Sequence, residues 1–251
     1  MWPLADTETG KHKRGDVKIP NWHDRLLAAT GLLFLGLFTC GLALADLFAN
    51  AAFPPPSAAL DDITAYFSQN GGAVRGLSVC HAFAALALMI FGAYLSHRIQ
   101  RQQPSALGTV ALVGGGVAGT FLLFDAAIFW VLALPDVSRD PALLRALHGL
   151  SYLCGGVALA LPLAALIGAV SFDALQSRSL PRWLAWAGIV TTIDCLAYGT
   201  SLVAAKGYWS PSGLVLAAVL PLFWIFATSI ALLFERQSFA AKLGSSPQVP
   251  D

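Results

Sequence analysis

Long apolar runs separated by short polar connections make up most of this 251-residue chain. A helix rises about 1.5 Å per residue, so about 20 apolar residues are needed to cross a hydrocarbon core about 30 Å thick. The runs lack the period-two alternation of a membrane barrel, and only helices satisfy their own backbone hydrogen bonds in lipid. The pattern predicts an all-α membrane bundle of six transmembrane helices, at about 26–48, 76–97, 107–134, 146–171, 183–205 and 213–234.

The first long connection has an amphipathic pattern of its own, in the stretch FPPPSAALDDITAYFSQNGG. A short interfacial helix is predicted there, with Ser57 as its cap and the Gly71–Gly72 pair at its end. Its apolar face would consist of Leu60, Ile63 and Phe67.

Two further local signals bear on the helices. Asp140 as a cap and Pro141 at the first helical position predict that the fourth helix begins early, outside the membrane. In the run VGGGVAG, Gly115 and Gly119 have the small-x-x-x-small spacing that allows another helix to approach closely.

The composition agrees with a membrane protein and excludes nucleic-acid binding. The chain is 57% hydrophobic and 12% charged with a net charge of +1, so it has neither the polarity of a soluble domain nor a basic surface. The N-terminal stretch is too long and too polar to be the charged start of a cleavable signal peptide.

The positive charges predict the orientation. Lys and Arg concentrate before the first helix, after the second, after the fourth and after the sixth. Because cytoplasmic connections carry this excess, we expect a multi-pass protein of the cytoplasmic membrane with both termini in the cytoplasm. The predicted parts are a tail at 1–25, a membrane domain at 26–234 and a second tail at 235–251.

Ionisable residues inside the apolar runs are the candidate functional groups. Each costs about 2.5–3.5 kcal/mol near the bilayer centre, so such a residue faces a cavity or a partner. Asp125, Asp194 and His81 are the candidate catalytic residues. A carboxyl group held away from water keeps its proton more readily, so either aspartate could act as a general acid, with His81 or the other aspartate as its partner.

Helical spacing groups further polar and aromatic residues around these three. Thr191, Asp194 and Tyr198 fall on one face of the fifth helix, which Ser201 extends. We expect Asp194 and Asp125 to share an outward-facing pocket within the membrane. The candidate substrate-binding residues are Tyr198, Tyr152, Phe121, Phe129, Trp130, Thr191 and His148.

A structural interpretation stands beside this one. The aspartates could hydrogen-bond to hydroxyls or a histidine only to hold helices together. On the same view, Arg145 and His148 would face water at the outer interface. The chain has four cysteines and no Cys-x-x-Cys pair. We expect them to be small buried packing residues: Cys40, Cys80, Cys154 and Cys195.

Three pieces of the chain resemble a large, mostly uncharacterised group of bacterial six-helix membrane proteins. They are DDITAYFSQNGGAVRG, DPALLRALHGL and LPRWLAWAGIV. The resemblance covers most of residues 26–234 and implies the same topology. It implies no activity, because it consists of loop signatures rather than catalytic motifs.

No sequence motif names a reaction. A zinc-protease helix, a nucleophile elbow and a paired aspartate motif are all missing, and we predict no cofactor and no bound metal. The favoured hypothesis is a lyase- or isomerase-type membrane enzyme that acts on an apolar or amphiphilic small molecule from the lipid, such as an acid-initiated isoprenoid (terpene) cyclase. The alternatives are a proton-coupled transporter, a non-catalytic membrane subunit and a haem- or metal-binding protein using His81 and His148. A homo-oligomer is a further expectation, because six spans would need a second copy to form a transport pathway.

Overall fold

The computed structural model describes residues 22–102, 104–200 and 219–234, and within these ranges the chain is helical and contains no strand. The predicted all-α class is therefore confirmed for the described residues. The helices are α1 (Trp22–Leu47), α2 (Leu60–Gln69), α3 (Gly71–Gln102), α4 (Ala106–Leu132), α5 (Pro141–Gly155), α6 (Val157–Ser177), α7 (Arg182–Thr200) and α8 (Val219–Phe234).

Among the described residues, four segments are long and apolar enough to cross a membrane: Trp22–Leu47, Gly71–Gln102, Ala106–Leu132 and Pro141–Ser177. They match the first four predicted spans and indicate a multi-pass membrane protein. α7 and α8 lie at the fifth and sixth predicted positions but do not meet the same criteria of length and hydropathy. The predicted stretches at 201–218, and the tails apart from residues 22–25, lie outside the described residues.

The helices pack side by side and form a closed bundle. α3 packs against α1 and α4, and α6 packs between α4 and α7. α8 then closes the bundle, because the Trp224 indole N–H donates to the Leu184 carbonyl of α7 and Ser229 lies against Gly31 of α1. Arginines lie at one end of this bundle, here called the basic end: Arg98, Arg101, Arg178 and Arg182.

Glycine allows α3 and α4 to touch along their backbones. A Cβ atom at Gly92 would lie 2.9 Å from the Cα of Gly115, and one at Gly119 would lie 2.4 Å from Met89. A real side chain does not fit such distances, so the predicted close approach at Gly115 and Gly119 is confirmed. It is made against α3.

The opposite end of the bundle, here called the capped end, is covered by α2, by α5 and by residues 48–59, which we call the strap. Ile63 and Phe67 of α2 are buried as predicted, whereas Leu60 is exposed. Two details of the prediction are wrong. Ala59 rather than Ser57 precedes α2, with no side-chain cap, because the prolines of the strap place Ser57 in a turn instead.

The predicted end of α2 is also wrong. The helix ends at Gln69. The Asn70 side-chain amide donates a hydrogen bond to the Tyr66 carbonyl at this end, and Gly71 and Gly72 begin α3. The predicted start of the fourth helix is confirmed, since Asp140 accepts hydrogen bonds from the Ala142 and Leu143 N–H groups.

The fourth predicted span is broken in two at a pair of glycines, a break that the hydropathy pattern does not predict. α5 ends at Gly155 and α6 begins at Val157, and Gly156 between them has a φ of −105° and a ψ of −105°. The break lies on the capped side of α6, whose 21 residues are long enough by themselves to cross about 30 Å of hydrocarbon.

The cysteine prediction holds for two of the four thiols. Cys154 and Cys195 are buried, whereas Cys40 is exposed and Cys80 is half-buried. Both exceptions lie where α1 packs against α3, since Gly41, next to Cys40, meets Cys80 there.

Gly115→Ala is expected to destabilise the protein by about 1–3 kcal/mol, the usual cost of forcing extra volume into a packed core. The neighbouring Gly116→Ala serves as the control, because a Cβ atom there meets nothing within 4 Å, and alanine favours the helix. Thermal unfolding in detergent would show the difference. Equal melting temperatures for the two variants would contradict the backbone contact.

Candidate functional site

A buried histidine and a buried aspartate form a pair between α3 and α4. His81 Nδ1 lies 3.0 Å from Asp125 Oδ2, and each side chain is only 3% exposed. When Asp125 is ionised the ring N–H donates to it, and when Asp125 is neutral its O–H donates to the ring. The arrangement therefore holds a proton between two titratable groups inside an apolar bundle.

Each member of the pair also has one atom without a hydrogen-bond partner. His81 Nε2 and Asp125 Oδ1 are both buried, and neither atom forms a hydrogen bond within the described part of the chain. Such buried unpaired atoms cost about 1–3 kcal/mol each, more when charged. They leave one donor or acceptor on each side of the pair for a ligand, water or proton.

Aromatic rings fix the orientation of His81. The Phe38 ring stacks on the imidazole at 4.8 Å with an interplanar angle of 3°, and Phe129 meets it edge-on at 6.1 Å. One turn away, the Ser78 hydroxyl donates to the Ala126 carbonyl at 2.7 Å, which ties α3 to α4 beside the pair. The imidazole therefore has little freedom to turn away from Asp125.

An apolar cavity of about 60 Å³ lies next to this pair. It has room for a few non-hydrogen atoms, as judged from cavities that hold small guests in other proteins. Phe34 and Phe38 of α1 and Tyr198 of α7 form part of its wall, and the rest comes from the junction of α5 and α6, from α6 and from α8. Its lining is mostly apolar, so it suits hydrocarbon rather than an ion.

The Gly155–Gly156 break connects the cavity to the pair. Both glycines line the cavity, and a Cβ atom at Gly155 would lie 3.1 Å from Asp125 Oδ1 and 3.2 Å from Oδ2. Gly155 therefore lies against both the carboxyl group and the cavity. A Cβ atom at Gly156 would lie 3.2 Å from the Tyr198 hydroxyl.

The strap is fastened over the capped end by two side chains of α5. His148 Nε2–H and the Tyr152 hydroxyl both donate to the Pro54 carbonyl, at 3.1 and 2.9 Å. Phe53 packs beneath it against the rings of both residues and against Phe129. Because Phe129 also contacts His81, one continuous aromatic cluster joins the strap to the buried pair.

α2 and the end of α1 hold the other side of the strap. The Tyr66 hydroxyl donates to the Ala45 carbonyl at 2.6 Å, and Asn70 accepts from the Asn50 N–H at 2.8 Å. Burial, and then the nearby charge of Asp46, raise the pKa of Tyr66 to about 12. The hydroxyl therefore keeps its proton and remains a donor over the whole physiological range.

Not all predicted site residues meet. Asp194 is half-buried on α7, and its Oδ2 has no partner among the described residues. α6 packs between α4 and α7, so Asp194 is not brought next to Asp125, and neither aspartate lines the cavity. Thr191 is buried but donates to the Ala187 carbonyl of its own helix. The expected pocket shared by the two aspartates, and a role for Asp194, stay predictions.

The aromatic candidates also divide into two groups. Phe129, Tyr152 and Tyr198 lie around the pair, the strap and the cavity, and Phe121 packs with the same apolar cluster as Phe129. Trp130 is 48% exposed and does not line the cavity. His148, expected to face water, is 1% exposed because the strap covers it, whereas Arg145 is exposed and donates to the Ala58 carbonyl.

Three contributors to the site were not predicted from the sequence. Phe38 and Phe53 are single aromatic residues in apolar or proline-rich surroundings, and no spacing rule connects them to His81 or His148. Gly155 had a signal, because a Gly-Gly pair inside an apolar run can break a helix. No group of three His, Cys, Asp or Glu residues in the described ranges could hold a metal ion.

Comparison of the chain with protein-family models, curated proteins and solved structures found no match. Function is therefore inferred from the geometry of the site.

Tyr152→Phe is expected to loosen the strap without unfolding the bundle, because it removes one of two hydrogen bonds to the buried Pro54 carbonyl. The cost should be about 0.5–1.5 kcal/mol. Hydrogen exchange of residues 48–59 should become faster, and Tyr152→Phe combined with His148→Phe should accelerate it further. Ser68→Ala is the control, since that hydroxyl is exposed and bonds only within α2. Unchanged exchange in the double variant would show that these two bonds do not hold the strap.

Proposed function

We propose that this chain is a multi-pass protein of the cytoplasmic membrane, with six spans and both termini in the cytoplasm. The four segments of sufficient length and hydropathy support the membrane location, and α7 and α8 supply the remaining two crossings. The arginines at the basic end support a cytoplasmic position for that end. α2 then lies at the outer interface, where its buried Ile63 and Phe67 face the bundle and its acidic residues face water.

In this arrangement the protein binds an apolar or amphiphilic small molecule that enters from the lipid, and His81 and Asp125 handle a proton beside it. The observation that carries the proposal is Gly155, which lines the apolar cavity and contacts the Asp125 carboxyl group. An apolar cavity alone would suit many structural roles. An apolar cavity separated from a buried acid–base pair by one glycine suits proton transfer to or from a hydrophobic ligand.

An acid-initiated isomerisation of an isoprenoid is the enzymatic chemistry that these groups support. Asp125 would donate its proton to a terminal double bond, the chain would close on the resulting cation, and the cation would lose a proton to the pair. No atom is gained or lost overall. The cavity has room for the end of such a chain, with the remainder in lipid, and Phe38 and Tyr198 offer π-faces to a cation.

Proton-coupled transport is the second candidate, because one specific observation favours it. A helix broken at Gly155–Gly156 beside a buried acid resembles the interrupted helices at which transporters bind their solutes. The freed backbone groups of such a break can bond to a solute, and the His81–Asp125 pair would carry the coupled proton.

Labelling should place the strap and the C-terminal region on opposite sides of the membrane. In a cysteine-free background, Ser57→Cys should react with an impermeant maleimide added outside the cell, and Ser238→Cys should react only after the membrane is opened. The expectation follows from the positive charges at the basic end. Reaction of Ser57→Cys from the cytoplasmic side alone would reverse the proposed topology.

Asp125→Asn should keep the fold and abolish the proton-dependent step, because the amide keeps the shape of the side chain but cannot deliver a proton. The carboxyl band of Asp125 in an infrared difference spectrum should disappear with it. For the enzyme, farnesol or farnesyl diphosphate incubated with the protein in proteoliposomes should give a cyclic isomer that the variant does not make. For the transporter, the same ligands should move protons without being changed.

Two variants of the cavity separate binding from proton transfer. Ala160→Phe should fill the cavity and reduce retention of farnesol by at least tenfold in native mass spectrometry. Val190→Phe, on the exposed face of α7, should retain it. Equal retention by both variants would remove the cavity from the proposal, and full activity of Asp125→Asn would remove the acid. Asp194→Asn tests whether the second aspartate takes part.

A further inference from the structure

Two cysteines lie close together at the α1–α3 interface, Cys40 beside its Gly41 contact and Cys80 within it. The register of these antiparallel helices is fixed by contacts of Leu44 with Gly76 and of Gly41 with Cys80. In that register Cys40, one residue from the Gly41 contact, lies at the level of Cys80. They are the only cysteines of the four that are not buried.

We propose that Cys40 and Cys80 form a reversible disulfide that links α1 to α3. This proposal is independent of the proposed function, since it uses neither the cavity nor a ligand for it. It assigns the chain a redox modification site within the membrane domain.

The local packing is suited to such a bond. A disulfide requires Cα atoms about 4.4–6.8 Å apart, closer than most helix pairs approach. Gly41, next to Cys40, removes the side chain that would hold the helices apart: a Cβ atom there would lie 3.1 Å from the Cβ of Cys80. The close approach that packs α1 on α3 therefore occurs beside Cys40 and at Cys80, where a disulfide needs it.

The chemistry requires a two-electron oxidant that is soluble in lipid. Cys40 is exposed on an apolar helix, so its surroundings in the membrane are acyl chains rather than water. A quinone meets this requirement. Two S–H bonds break and one S–S bond forms, while the two electrons and two protons reduce the quinone to the quinol. A dithiol reductant reverses the reaction.

The disulfide would also act on the buried pair. Cys80 immediately precedes His81, and a Cβ atom at Gly41 would lie 3.0 Å from the His81 ring as well as close to Cys80. Linking α1 to α3 at this level would hold Phe38 of α1, close by on the same helix, in its stack on His81. Oxidation would therefore make the environment of the pair more rigid.

Counting thiols in the intact protein tests the proposal. The full chain in proteoliposomes is treated with dithiothreitol or with a short-chain benzoquinone whose ring is fully substituted, so that thiols cannot add to it. The protein is then denatured, labelled with maleimide and weighed by mass spectrometry. The reduced protein should carry four adducts and the oxidised protein two, and dithiothreitol should restore four. Peptide mapping should find the link between the segments that contain Cys40 and Cys80.

Single variants identify the pair. Cys40→Ser and Cys80→Ser should each carry three adducts before and after oxidation, whereas Cys154→Ser and Cys195→Ser should each fall from three to one. Four adducts on the parent after quinone treatment and again after copper–phenanthroline treatment, or a loss of adducts that persists in Cys40→Ser, would overturn the proposal. If copper–phenanthroline forms the link and the quinone does not, the site stands and the assigned class of oxidant is wrong.

Discussion

The backbone contact between Gly92 and Gly115 is the constraint on which the rest of the site depends. Antiparallel helices that touch at one point have a fixed register over the following turns. Moving toward the capped end, the same interface places Met89 against Gly119 and then His81 against Asp125, about three turns from the contact. A side chain at either glycine would separate the helices and shift this register, so the acid–base pair relies on two residues that have no chemistry of their own.

The sequence could predict the class of fold and the identity of the two groups, for different physical reasons. Hydropathy sets the helices because lipid leaves no other way to satisfy a backbone. The cost of an ionisable residue in hydrocarbon marks Asp125 and His81 as exceptional. The contact between Asp125 and His81 could not be predicted, because it depends on the register of α3 against α4. That register is set by glycines some turns away. Asp194 shows the converse: its polar neighbours predict a face of α7, but not that α6 packs between it and α4.

The capped end shows where local rules give way to tertiary contacts. The prolines of the strap predict a break in helical structure, and the break occurs. They do not predict that Pro54 will be the carbonyl that both His148 and Tyr152 bind. The position of His148 in the sequence predicts a residue at the membrane interface. It is buried only because the strap, which is distant in the chain, covers it. The burial of Phe53 under the strap, in contact with Phe129, is a property of that return rather than of any local pattern.

The two unpaired atoms of the pair argue against a purely structural role. A pair kept only to join α3 to α4 could be replaced by apolar residues of similar volume, often with a gain in stability. This pair instead buries His81 Nε2 and Asp125 Oδ1 without partners in the described part of the chain, and the Oδ1 atom lies against a part of the cavity wall that lacks a side chain. Both features cost stability, and both would serve the contact between a proton and a hydrophobic ligand that we propose. Neither is needed to hold two helices that already meet at Gly92 and Gly115.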